Sequence, residues 1–138
     1  MDIELKKKLA KNWFKILQDM ICNEIEKLDG KAKFKSNNWR RNKKKDEGGG
    51  EYKILNNGKI FDKVGVNYSK VYGKFPKQFQ KNIPGAQKDP RFWASGISVV
   101  MHMRNPLIPA MHFNTRYICT SRDWFGGGMD VTPSKVDK

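Results

Sequence analysis

A chain of 138 residues is long enough for one domain with its own core and too short for two comfortable ones. Its 28 lysines and arginines against 14 acidic residues leave a formal charge of +14, which attracts polyanions or an acidic small molecule and says nothing of the fold. Two well-separated cysteines, Cys22 and Cys119, exclude a disulfide framework and a zinc-site spacing, and no stretch reaches the roughly 20 apolar residues of a membrane span.

Between Asp2 and Leu28, the apolar residues Leu9, Trp13, Ile16, Leu17, Met20, Ile21, Ile25 and Leu28 recur at helical intervals, which predicts an amphipathic helix stopped by Gly30. That stripe is expected to pack on the body of the domain, with a partner-binding or membrane-surface helix as the alternative. The charges at Asp2, Glu4, Lys6 to Lys8, Lys11, Lys15 and Asp19 leave no secretory apolar segment, so a cytoplasmic setting with reduced, buried thiols is expected. Lys31 to Lys45 is a basic run around Phe34 and Trp39, expected as a solvated loop or edge strand. Gripping a nucleic-acid backbone is its alternative reading, although it lacks the patterns of a helix-turn-helix, zinc finger or RRM. Gly48 to Gly50 lack the downstream Gly-Lys-Ser/Thr of a phosphate loop. Tyr52 to Asn56, Asn57-Gly58 and Lys59 to Tyr68 predict a β-hairpin with a type I′ turn, in which Ile60, Val64, Val66 and Tyr68 share a face and Asp62 is the exception. Phe75 to Pro90, punctuated by Pro76, Pro84 and Gly85, reads as a connection or a short helix. A second glycine triplet, Gly126 to Gly128, precedes Asp130, and Ser134 to Lys138 form a polar end.

The centre of the chain is Ser98 to Arg116, which holds both histidines. At the two-residue period of a strand, Ser98, Val100, His102 and Arg104 point one way and Ile97, Val99, Met101 and Met103 the other. After Asn105-Pro106 and Ile108-Pro109, the same period groups His112, Asn114 and Arg116 against Met111, Phe113, Thr115 and Tyr117. Two neighbouring strands of this kind place Ser, two His, Asn and two Arg on one sheet face. An imidazole among polar strand neighbours suits general acid or base work, with a hydrogen-bonded sheet-edge histidine as the plain alternative. No H-x-x-x-H or H-E-x-x-H pair supports a metal, and no G-x-S-x-G elbow supports a serine hydrolase. Arg104 and Arg116 favour a carboxylate or phosphate. Asp130 suits a tight pocket that supplies N–H donors, or a turn cap before Thr132-Pro133.

Five ordered blocks, E-G-G-G (47–50), G-K-I-F-D-K-V-G-V-N-Y-S (58–69), G-I-S-V-V-M-H-M-R-N-P (96–106), P-A-M-H-F-N-T-R-Y (109–117) and W-F-G-G-G-M-D-V-T-P (124–133), resemble the oxygen-dependent coproporphyrinogen III oxidase family. The resemblance runs from Trp39 to Pro133. It implies oxidative decarboxylation of two propionates of coproporphyrinogen III to vinyl groups in haem biosynthesis, with dioxygen as oxidant and no required metal or organic cofactor. It implies an α+β fold, an antiparallel β-sheet flanked by helices, in a homodimer. Residue by residue, Ser98 matches a substrate-contacting serine, His112 a proton donor, Asn114, Thr115 and Arg116 the substrate segment, and Asp130 an aspartate facing the pyrrole N–H groups. His102 and His112 match positions treated as ligands of a divalent metal in some bacterial members. Family members are longer, and the region after the last block is absent. The chain is therefore expected to be the N-terminal portion of a truncated member, a single domain over 1–138 with an incomplete sheet and little independent activity. Its expected parts are a helix at 1–30, a basic and glycine-rich connection at 31–50 and a sheet core at 51–133.

Overall fold

The computed structural model describes residues 1–134, so most of the expected polar end, 135–138, lies outside the described residues. The chain opens with α1 (Ile3–Asp29), which begins where the Asp2 carboxylate accepts the Leu5 N–H at 3.2 Å. It ends where Gly30 takes the left-handed conformation, φ 70°, that a side chain would resist. Six strands follow: β1 (Lys35–Arg40), β2 (Gly48–Asn56), β3 (Phe61–Lys74), β4 (Arg91–Met103), β5 (Ala110–Cys119) and β6 (Asp123–Thr132). Each pairs antiparallel with the next, giving one open sheet in the order β1-β2-β3-β4-β5-β6. The single-turn α2 (Lys77–Gln80) lies in the proline-rich connection between β3 and β4. The fold is α+β, and α1 covers one face of the sheet.

The core lies between α1 and that face. Leu55, Val64, Val66, Ile97, Val99, Tyr117 and Cys119 from the sheet meet Ala10, Phe14, Cys22 and Ile25 from the helix. Each of the fully buried branched residues contributes roughly 1.5–3 kcal/mol by leaving water. Both thiols are free and buried, and burial pushes Cys22 up to about 12.

Three expectations are corrected. First, the buried stripe of α1 is Ala10, Phe14, Gln18, Cys22, Ile25 and Asp29, whereas Leu9, Trp13, Ile16, Met20 and Leu28 are half exposed or more. The helix has two apolar faces, and polar Gln18 and Asp29 decide which one meets the sheet because their partners are there. Gln18 is fully buried and its Nε2 donates to the carbonyls of Glu51 and Val66 at 2.9 and 3.0 Å. Gln18→Leu is expected to cost about 2 kcal/mol by orphaning both acceptors, measured as a fall in the urea midpoint. An unchanged midpoint would show that those carbonyls find other donors.

Second, the segment 31–50 is no mere connection: the basic run supplies β1 at the edge of the sheet, in line with its edge-strand reading, and the start of β2 also falls inside it. The glycine triplet pairs with β3, and Gly49 and Gly50 also with β1, and glycine is required at both because a Cβ there would fall on the carbonyl oxygen of Trp39 or Tyr68. Third, the hairpin forms but its turn is wider than type I′. Asn57 has φ 55°, Gly58 is not left-handed, and the loop closes through Asn57 N–H to the Asp62 carbonyl and Gly58 N–H to the Phe61 carbonyl, both 2.9 Å. Asp29 explains it. Its carboxylate, 1% exposed, accepts the N–H groups of Lys59, Ile60 and Phe61 from the loop and those of Lys31 and Ala32 beyond the helix. A bulge at Asp62 then brings Phe61 and Val64 onto the same buried side, so Ile60 stays in the loop.

Candidate functional site

The face of the sheet opposite α1 carries the polar residues. Directly opposed residues on antiparallel strands project to the same side, so the register defines rows across β3, β4, β5 and β6. One row is Gly65, Val100, His112 and Asp130; the next is Asn67, Ser98, Asn114 and Gly128; the third is Ser69, Gly96, Arg116 and Gly126. Ser98, His112, Asn114 and Arg116 are thus brought together, as the strand period requires, and the β5–β6 register adds Asp130.

His112 is central. Its Nε2 lies 3.4 Å from Ser98 Oγ and its Nδ1 lies 3.5 Å from Asp130 Oδ1. Neither ring nitrogen is locked in a short bond, and the histidine and aspartate side chains are about half exposed and more, respectively. The carboxylate stands beside the imidazole, and no hydrogen bond among the described residues occupies its second oxygen, which can accept from a ligand. Arg116 Nη2 donates to Asn114 Oδ1 at 3.3 Å, which steadies a guanidinium that has no acidic partner among the described residues. That guanidinium is free to fork onto a carboxylate.

The Ser98–His112–Asp130 line resembles a hydrolase triad in composition alone. Ser98 sits in mid-strand between β3 and β5, where the backbone amides are spent on the sheet ladders and no pair of free N–H donors forms an oxyanion hole. Proton handling is the chemistry that the line supports.

Glycines shape the surface. A Cβ on Gly65 or Gly128 would meet nothing within 4 Å, and one on Gly126 only the Trp124 ring edge at 3.9 Å. Packing does not demand these glycines; their lack of side chains keeps the face low where a flat ligand would approach.

Three other expected residues are placed differently. Thr115 pairs with Ile97 and Gly127 on the helix-covered side, away from Ser98 and Arg116. Arg104 lies past the end of β4, where its Nε donates to the Gly58 carbonyl at 2.9 Å, so it braces the β2–β3 loop. His102 shares the polar face but pairs with Lys63, further along β4 than the Val100 that faces His112. Among the described residues no three His, Cys, Asp or Glu side chains gather closely enough to hold a metal. The two imidazoles alone therefore do not make a metal site.

By sequence, Trp39 is placed only in the basic run and Asn67 is given no role of its own. Trp39 Nε1 donates to Asn67 Oδ1 at 2.9 Å, and Asn67 opposes Ser98, so this pair extends the polar face across β1 and β3. The signal was present in β3, where Gly65, Asn67 and Ser69 alternate with the apolar Val64, Val66 and Tyr68.

Fold and face together define a class: an open antiparallel α+β protein with one side sealed by a helix and the other presenting imidazole, carboxylate and guanidinium in register. The sequence matches the family model described as Coproporphyrinogen III oxidase over residues 9–138. It is 50% identical over 142 residues to the oxygen-dependent coproporphyrinogen-III oxidase of Rickettsia felis, covering 96% of this chain and 49% of that protein. It is 48% identical over 147 residues to the protein of the same name from Rickettsia africae, covering 100% of this chain and 51% of the relative. The chain belongs to the coproporphyrinogen III oxidase family, and it spans about half the length of these curated relatives.

Proposed function

We propose that this chain supplies the substrate-holding and proton-handling face of an oxygen-dependent coproporphyrinogen oxidase acting in haem biosynthesis. The observation that carries the reading is the convergence of Ser98, His112, Asn114, Arg116 and Asp130 on one uncovered sheet face. Coproporphyrinogen III bears four carboxylates and four pyrrole N–H groups, and the face offers a partner for each kind. Arg116, steadied by Asn114, holds a propionate. The free oxygen of Asp130 accepts pyrrole N–H bonds, while its other side orients His112. His112, between Asp130 and Ser98, holds or moves the proton that accompanies loss of carbon dioxide. Each propionate carboxylate that becomes a vinyl group loses carbon dioxide, a proton and two electrons, and dioxygen takes up the two electrons with two protons to leave as hydrogen peroxide. The reduced tetrapyrrole is electron-rich enough to react with dioxygen, so these residues contribute orientation and proton management.

The face is solvent-exposed as it stands. The outer stripe of α1 and Phe125, Met129 and Val131 of β6 are also exposed. This is the surface that the remaining half of the relatives' length would cover, completing the pocket and any homodimer. No helix among the described residues is long and apolar enough to cross a membrane.

The test combines the chain with the separately produced remaining half of the Rickettsia felis relative, adds anaerobically prepared coproporphyrinogen III and admits air. Protoporphyrin fluorescence after autoxidation should exceed the control without protein. No excess product, under conditions where the intact relative is active, would reject the proposal. In the same mixture Gly128→Val should fold with a stability within about 1 kcal/mol of the parent, because its Cβ meets open space. It should nevertheless cut turnover about tenfold or more by raising the floor of the site; full turnover would mean that the ligand does not approach there.

A further inference from the structure

A cleft of about 760 Å³ lies on the other side of the sheet from His112, between α1 and the β1–β3 end. Lys11 and Lys15 of α1, Arg40 at the end of β1, Lys43 to Lys45 of the following loop and Lys70 of β3 line it. Its acidic lining residues, Asp46 and Glu51, are already engaged. Asp46 accepts the Tyr72 hydroxyl and, at 3.2 Å, the Gly48 N–H. Glu51 accepts Lys15 Nζ at 2.5 Å and Ser36 Oγ at 2.7 Å. The other six cations have no ion-pair partner among the described residues. Gathering them in one recess costs free energy through mutual repulsion, which a bound polyanion would relieve.

The lysine loop is held in shape. Asn42 Oδ1 accepts the N–H groups of Lys44 and Lys45 at 2.8 and 3.3 Å, and Asp46 holds the next turn through Gly48. The ammonium groups are therefore carried on a preformed turn. The aromatic rings that face the cleft are occupied, Lys15 lying 5.8 Å from the Tyr68 centroid and Lys70 5.7 Å from that of Tyr72, while Trp39 at its edge turns its ring to the opposite face, where Nε1 donates to Asn67 Oδ1. Base stacking, the usual contribution to binding single-stranded nucleic acid, has no free platform in the cleft. Its size suits a small ligand, and its charge suits closely spaced phosphates.

We propose that this cleft binds a small oligophosphate, either free or as the phosphate chain of a nucleotide. The site is separate from the His112 face and stands or falls independently of the oxidase reading.

Calorimetric titration of the chain with inorganic tripolyphosphate and with ATP, at about 50 mM salt, tests it. Binding of tripolyphosphate is expected, weakened about tenfold or more in Lys43→Gln/Lys44→Gln/Lys45→Gln. Lys77→Gln/Lys81→Gln/Lys88→Gln removes the same charge from outside the cleft and should lower affinity by no more than about threefold through the general field. Circular dichroism establishes that both variants are folded. Equal affinities for the two ligands assign the free phosphate chain, and tighter ATP binding assigns a nucleotide; either supports the proposal. Failure of tripolyphosphate to bind, an equal loss in both variants, or binding restricted to oligonucleotides with affinity rising with length would overturn it.

Discussion

His112→Ala, in the chain completed by the second half of a relative, should lower protoporphyrinogen formation by about 10²- to 10⁴-fold, the range over which a positioned proton donor or acceptor contributes. The expectation rests on His112 being the side chain that lies near both Ser98, at 3.4 Å, and Asp130, at 3.5 Å. The loss should fall on kcat. Arg116→Gln should instead act chiefly through KM, because the task proposed for the guanidinium is binding a carboxylate and it lies beside the proton line rather than in it. Asp130→Asn separates the two roles proposed for it: it keeps the side chain's shape but removes the charge proposed to orient the imidazole and accept pyrrole N–H groups. It should therefore lower kcat and raise KM together. Unchanged kcat in His112→Ala, with the protein folded, would remove the proton-handling role, whatever happens to binding.

The largest effect on stability is expected at Asp29. Five backbone N–H groups from two separate loops converge on this one buried carboxylate. Asp29→Ala would orphan them together, at a cost of about 4 kcal/mol, a large part of the stability of a domain this size. Burial alone pushes the carboxyl up, but the N–H donors of Ala32, Phe61, Ile60 and Lys59 outweigh it and hold the group well below the usual carboxylate range. A carboxyl whose folded value is depressed adds stability that is fully present above its unfolded value and is lost as pH falls through the folded one. The parent should therefore lose stability progressively below about pH 4. Asp29→Asn should be less stable at neutral pH and show a shallower acid slope, measured by urea unfolding between neutral and acidic pH. Parallel acid slopes for the two proteins would show that other carboxylates dominate the acid response.

The strands around the site were readable because the sheet is sealed on one side only. Ile97, Val99 and Met101 had to alternate with Ser98, Val100 and His102, and Phe113 and Tyr117 with His112, Asn114 and Arg116; the structure keeps that division. The same alternation already set Thr115 apart from its polar neighbours. The glycine triplets were harder to read. By propensity they suggest loops, yet both lie within strands. Gly49 and Gly50 are needed where neighbouring carbonyls approach, and Gly126 and Gly128 leave the polar face bare. Neither reason is local to the triplet. The rotation of α1 was equally hidden, since a helix with two apolar stripes does not reveal which one faces inward until Gln18 and Asp29 meet acceptors and donors far along the chain.

By itself the sequence determined the presence and ends of α1, the hairpin at Asn57-Gly58 and the polar side of the central strands, because caps, turns and a two-residue period act over a few neighbours. It also determined the family, through ordered blocks that span most of the chain. Only the tertiary structure decided that Asp130 stands across from His112, that Arg104 braces a loop and that the lysine run closes a cleft with α1. Those outcomes depend on strand register and helix placement, which are fixed by contacts between distant segments and leave no periodic mark on any one of them.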